Sequence, residues 1–182
     1  MKKLILSLLL INCSIFVFAQ DYPKPEFKNQ PMIISDGGLS KLEVQTAEIK
    51  MKVKGLGYGG AQQEISVPGG KSPVVAPQEP SFVIWVDEGV DPESLIVLTK
   101  TEFDSKKRNI PMMKVSALAA FGARGKSMSE KFHVDFSIEK VGDGVYLITP
   151  TGPLETGMEY AFYNPENTQA QQLKIFLFGV RN

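Results

Sequence analysis

The chain is poor in the residues from which metal and redox chemistry are built: 182 residues include one cysteine, Cys13, and one histidine, His133. A single histidine excludes multi-histidine metal sites and obliges any Ser-His-Asp relay to use His133. Cys13 lies in an N-terminal apolar stretch, so everything after it has no thiol, disulfide or thiolate ligand. Charge of one sign is also lacking, with 20 Lys and Arg against 20 Asp and Glu. That balance excludes a general binder of nucleic acid or anionic membrane, which needs a basic excess. After residue 19 no apolar run approaches the ~20 residues that span a bilayer. No cofactor and no metal are expected from this composition.

What is present begins with Lys2, Lys3 and the apolar runs Leu4 to Ile11 and Ile15 to Phe18, ending in Val17-Phe18-Ala19. A basic end, a short apolar core and small residues before a cleavage point form a secretory signal pattern. Cleavage is expected after Ala19, and the chain from Gln20 then carries 18 Lys and Arg against 20 Asp and Glu. The expected destination is a bacterial periplasm, cell surface or secreted fraction, where a cysteine-free domain is at home. The alternative is a lipoprotein anchored through Cys13. It is opposed by Asn12, which is bulkier than the small residues usual at that position, and by an apolar stretch where a polar tether should begin.

Residues 20–31, with three prolines among charged and amide side chains, read as an extended leader, and 32–182 as a single domain. The dominant period there is two. Ala47, Ile49, Met51 and Val53 alternate with Glu48, Lys50, Lys52 and Lys54. Phe132, Val134, Phe136 and Ile138 alternate with His133, Asp135, Ser137 and Glu139, and Gly142-Asp143-Gly144 then turns the chain into Val145 to Ile148 as a hairpin. The runs Phe82 to Val86 and Ile175 to Phe178 read as strands buried on both faces. Helix is confined to Ser116 to Ala123 and Asn167 to Gln172. Regular turn clusters between about nine short strands predict an all-β antiparallel sandwich of immunoglobulin-like architecture, with an open barrel as the alternative.

Several motifs imitate chemistry. Ala120 to Ser127 approximates a phosphate loop, and Gly55-Leu56-Gly57-Tyr58-Gly59-Gly60 has dinucleotide spacing, but neither has the strand-to-helix setting that places backbone amides on phosphate. Asp87, Glu88, Asp91 and Glu93 form an acidic cluster without calcium-loop spacing, and Asp91-Pro92-Glu93 also reads as a capped helical turn. His133, Asp135 and Ser137 fall on one strand face, as a solvated stripe does. Lys106-Lys107-Arg108 reads as solvated turn charge, and Lys50, Lys52 and Lys54 as edge charge that blocks aggregation.

The blocks Lys54 to Ala61, Lys71 to Val74 and Leu154 to Phe162 are similar to an uncharacterised family of bacterial secreted or surface-associated all-β domains ending in an L-x-P-G-E-Y-A-F motif. Here Thr156 replaces the proline and Met158 separates Gly157 from Glu159. The resemblance implies a β fold and carries no active-site residue. Function is therefore expected to be non-enzymatic: an interaction or structural module whose partner is another envelope or surface protein. The alternatives are a carbohydrate-binding domain using exposed Tyr58, Tyr146 and Tyr163, with Trp85 placed in the core, and a hydrolase built on Asp87, Asp91, Asp135 or Glu139.

Overall fold

The computed structural model describes residues 22–36, 38–53, 61–104, 106–115, 126–127, 129–169 and 172–181. The expected signal segment, Cys13, Tyr58, the glycine run at 54–60 and the helix expected at 116–123 lie outside them. Among the described residues no helix is long and apolar enough to cross a membrane.

Two antiparallel sheets pack together, with strands numbered along the chain. The smaller contains β1 (Met32–Ser35), β2 (Gly38–Lys41), β6 (Phe82–Trp85), β11 (Phe136–Gly142) and β12 (Val145–Pro150), in the order β11-β12-β6-β1-β2. The larger contains β3 (Glu43–Val53), β4 (Ala61–Pro68), β7 (Val97–Lys100), β9 (Lys107–Val115), β10 (Lys126–Ser127), β13 (Glu159–Tyr163) and β14 (Gln172–Val180). Its order is β10-β9-β4-β3-β14-β13-β7. A short strand β5 (Val75–Ala76) joins β14 in parallel, and β8 (Glu102–Asp104) joins β9.

The larger sheet curls nearly into a barrel, and one residue explains how. Thr101 alone separates β7 from β8. Before it Val97–Lys100 pairs with β13, and after it Glu102–Asp104 pairs with β9, at the opposite end of the strand order. The open-barrel alternative thus describes this sheet, while the packing of two sheets matches the sandwich.

Alternation sorts side chains into three apolar layers. Inside the curled sheet lie Ala47, Ile65, Ile110, Ala161, Tyr163 and Ile175. Between the sheets lie Phe82, Ile84, Ile148, Tyr160, Phe162 and Phe178. Strand β13 is buried throughout because its two faces enter different layers. The intersheet layer centres on Phe82, whose ring meets those of Phe162 and Phe178 at 5.0 Å centroid distances. Such aromatic pairs each add about 0.5–1.5 kcal/mol beyond area burial.

The third layer corrects the reading of the leader as chain standing apart from the core. Met32, Val83 and Val145 are buried on the outer face of the small sheet, with Tyr22 of the leader packed against that cluster. Lys28 bridges to Trp85 in parallel, and the Asn29 amide donates to the Trp85 carbonyl at 2.8 Å. Asn29 takes the left-handed conformation, φ 59°, which asparagine tolerates better than most residues. Trp85 is accordingly not a core residue: it is half-buried, with Lys24 and Lys28 ammonium groups 4.0 and 4.8 Å from its ring centroid.

Other expectations hold in part. Phe82–Trp85 and Ile175–Phe178 are interior to their sheets, and β11 and β12 form the expected hairpin, with a bulge between Lys140 and Gly142. Gly144, φ 68°, fits that turn because a Cβ there would meet the Val86 carbonyl oxygen at 2.6 Å. The alternation from Phe132 to Ile138 is correct by face but does not belong to one strand. Phe132 ends a helical turn, Ser129–Phe132, His133 bridges to Thr99 of β7, and only Phe136 onward joins the small sheet. The helix expected at Asn167–Gln172 is instead a 3-10 turn at Pro165–Gln169, after which Gln172 starts β14.

Candidate functional site

At one end of the curled sheet the inward positions change from apolar to charged. Glu43 lies four residues before Ala47, Arg108 two before Ile110, and Glu159 two before Ala161, so all three share the inward face of their strands. Arg108, 1% exposed, donates from Nη1 and Nη2 to the two Glu43 oxygens at 2.8 and 2.7 Å, and from Nη2 to the Pro68 carbonyl at 3.2 Å. Glu159 accepts from the Ser72 amide at 2.8 Å and from Arg181 Nη2, with Arg108 Nη1 3.7 Å away. Arg181 also donates to the Ser72 carbonyl at 2.9 Å. Burial disfavours ionised Glu43, yet hydrogen bonds from Arg108, Ser72 and Gln45 and the charge of Arg108 outweigh it. The carboxyl is held below its ordinary range.

Arg108 therefore overturns the reading of Lys106-Lys107-Arg108 as solvated charge. Lys106 and Lys107 are exposed, but strand alternation turns Arg108 inward. Its role is to neutralise two buried carboxylates. A site with its arginines and carboxylates already matched holds no unspent charge for a ligand.

Beside this plug, along β7, β8 and β9, lies a cleft of about 770 Å³, within the range usual for ligand sites. Phe103 of β8 enters it 63% exposed. The ring rests against Gly70, where a Cβ would come 2.7 Å from Phe103 Cε2, so glycine makes room for it. Asn109 of β9 also lines the cleft and is 5% exposed. Its Oδ1 has no hydrogen-bond partner among the described residues, a state that costs about 1–3 kcal/mol. Phe132, Met158 and Glu159 close other parts of the wall. Lys100 is paired with Glu155, and the Thr101 hydroxyl donates to the Glu159 carbonyl at 3.2 Å.

The aromatics expected to bind a ligand are placed elsewhere. Tyr163 is 6% exposed inside the curled sheet, and burial raises its phenol pKa. Tyr146 is half-buried against the intersheet layer. The structure does not bring these two together with Phe103 in the cleft, whose only largely exposed aromatic among its lining residues is Phe103.

Three of the acidic candidates, Asp87, Asp91 and Asp135, have local partners, and Glu139 is exposed on β11. Asp91 caps the helical turn Pro92–Leu95, accepting from the Glu93 amide at 3.0 Å. Asp87 pairs with Lys28. His133 Nε2 lies 3.4 Å from Asp135 Oδ1, whereas the Ser137 hydroxyl donates to the Thr149 carbonyl at 3.4 Å and does not extend a relay. Among the described residues no three His, Cys, Asp or Glu are grouped to hold a metal ion. Of the phosphate-loop match, Lys126 and Ser127 pair antiparallel with β9. The strands flanking the glycine run, β3 and β4, pair with each other as a hairpin rather than leading to a helix.

No protein-family model, curated protein or solved structure matches the chain.

Proposed function

We propose that this chain is an exported, non-enzymatic binding module of a bacterial envelope or secreted fraction, and that it engages its partner through the cleft beside β8. The signal pattern ending at Ala19 supports export, and the resemblance to surface-associated β domains agrees with it. An immunoglobulin-like arrangement is the finer architecture proposed within the two packed sheets. The single observation that carries the binding reading is the exposure of the Phe103 ring within a cleft of about 770 Å³. Folding alone does not favour this exposure, because an exposed large ring gains little from burial. A ligand that covers the ring supplies that burial.

The test is co-sedimentation of the purified chain from Gln20 with the envelope fraction of the producing cells. The wild type is expected to sediment, and Phe103→Ala to bind about tenfold more weakly, as truncating a central aromatic contact commonly does. Equal sedimentation of the two proteins would remove the cleft from the interaction.

A further inference from the structure

We infer that the free edge of β11 pairs with the same edge of a second copy of this chain, so that the small sheets of two molecules join across a two-fold axis. The inference is independent of the cleft, to whose lining β11 contributes nothing. Among the described residues β11 ends the small sheet, bonded on one side to β12 and on the other to no strand. It is also the longest strand of that sheet. The edge strand β7 of the large sheet is not open in this way: His133 bridges to Thr99, and the Val134 amide donates to the Leu98 carbonyl at 3.0 Å.

The direction of its backbone groups follows from the register. Asp135 stands opposite Thr151 in the same register that sets Ser137 opposite Thr149, and the Thr151 amide donates to the Asp135 carbonyl at 2.9 Å. Hydrogen-bonded pairs alternate along an antiparallel ladder, so Ser137 and Glu139 bond to β12 while Phe136, Ile138 and Lys140 turn their N–H and C=O groups to the open edge. Pro150 agrees with this, because its place opposite Phe136 then needs no amide directed at β11. Side chains are open there too. Phe136 and Ile138 pack against the intersheet layer yet stay only half-buried, since no further strand among the described residues covers that layer at this edge.

Side-chain chemistry selects a second copy as the occupant, and one register for it. Two β11 strands laid antiparallel with Ile138 opposite Ile138 of the second copy bring Phe136 opposite Lys140 and Ser137 opposite Glu139, each contact occurring twice. The isoleucines extend the intersheet layer, the lysine stem covers the phenyl ring, and the Ser137 hydroxyl donates to the Glu139 carboxylate. Sliding by two residues, the smallest step that keeps the faces matched, sets Glu139 against Glu139 in one direction and Asp135 against Glu139 in the other. Like charges directly opposite disfavour both. The bulge between Lys140 and Gly142 ends the regular edge, and a two-fold contact consumes that edge in both copies. The product is a closed pair and not a growing sheet.

The experiment is sedimentation equilibrium of the chain from Gln20 over a range of concentrations. The mass is expected to rise from one chain to two and no further. Ser137→Glu, which sets carboxylates opposite each other, is expected to weaken association about tenfold, and Ser137→Lys to strengthen it about tenfold. Ser137→Glu combined with Glu139→Lys restores an opposite-charge pair and with it the wild-type dissociation constant. Ser137 and Glu139 are exposed, so the fold of the single chain should be unaffected; should Ser137→Glu fail to fold, Ser137→Lys carries the same test in the opposite direction. A chain that stays a monomer at every concentration overturns the proposal. An association that ignores all three variants also overturns it, by placing the contact elsewhere, and so does a mass that grows beyond two chains.

Discussion

Arg108 and Glu43 are 65 residues apart in the chain and meet in a two-pronged ion pair, 2.8 and 2.7 Å, with the arginine 1% exposed at the end of the curled sheet. The pair ties β9 to β3 across the intervening β4, and through Glu159 and Arg181 it reaches β13 and the end of β14. Removing one member strands the others in a place with little water. Arg108→Met should cost about 3–5 kcal/mol in denaturant unfolding, the usual consequence of breaking a buried pair. Lys107→Ala, one residue away and exposed, should stay within about 0.5 kcal/mol.

The same pair sets the acid limit of the fold. Because the Glu43 carboxyl is held below its ordinary range in the native state, its contribution is present above the unfolded value of about 4.3 and is lost as pH falls through the lower, native value. Unfolding midpoints measured from pH 6 down to pH 2 should fall less steeply for Glu43→Gln than for the wild type.

Tyr163 sets an alkaline counterpart. Burial raises its phenol pKa, so stability is complete below about 10, the unfolded value, and declines as pH rises from there through the native value. Tyr163→Phe should flatten the loss of stability above that pH, provided Tyr160, whose phenol pKa burial also raises, is left in place.

Gly179 gives a packing test of the plug. A Cβ at that position would come 2.6 Å from Glu159 Oε1 and 2.7 Å from Arg181 Nη2, and Glu159 is held from its other oxygen by the Ser72 amide. Gly179→Ala should therefore destabilise by about 1–3 kcal/mol, as overpacking generally does. Gly152→Ala, with open space around its Cβ, should be nearly silent.

The leader makes the last stability prediction, and Trp85 reports on it because it is the sole tryptophan. A chain starting at Asn29 loses Tyr22 from the outer cluster and both lysines from the Trp85 ring. Trp85 emission should shift to the red and stability fall by about 1–2 kcal/mol, the scale of two exposed cation–π contacts. Unchanged emission would show that the leader does not cover the ring.

Local features were legible because short-range chemistry determines them. Asp91 ahead of Pro92 forms its cap, the glycines around Asp143 form their turn, and alternation puts Phe136 and Ile138 on the intersheet face while His133 and Asp135 stay exposed. What escaped depends on distant partners. Nothing near Arg108 distinguishes it from Lys107; its inward direction matters only because Glu43 and Glu159 arrive from other strands. Thr101 closes the curled sheet through pairings on both its sides. Tyr163 reads as a surface aromatic until β13 is seen to have two buried faces. The available signal for Phe103 was an aromatic between Glu102 and Asp104 beside a turn, a place where folding gains little from a ring.

The central claim, that the cleft around Phe103 is where this protein binds, is tested most directly by amide chemical shifts of labelled protein on adding solubilised envelope material. Perturbations concentrated at Gly70, Thr101 to Asp104 and Asn109, and absent in Phe103→Ala, are the predicted result. Perturbations confined to the region around Lys24, Trp85 and Tyr146, with Phe103 unmoved, would contradict it.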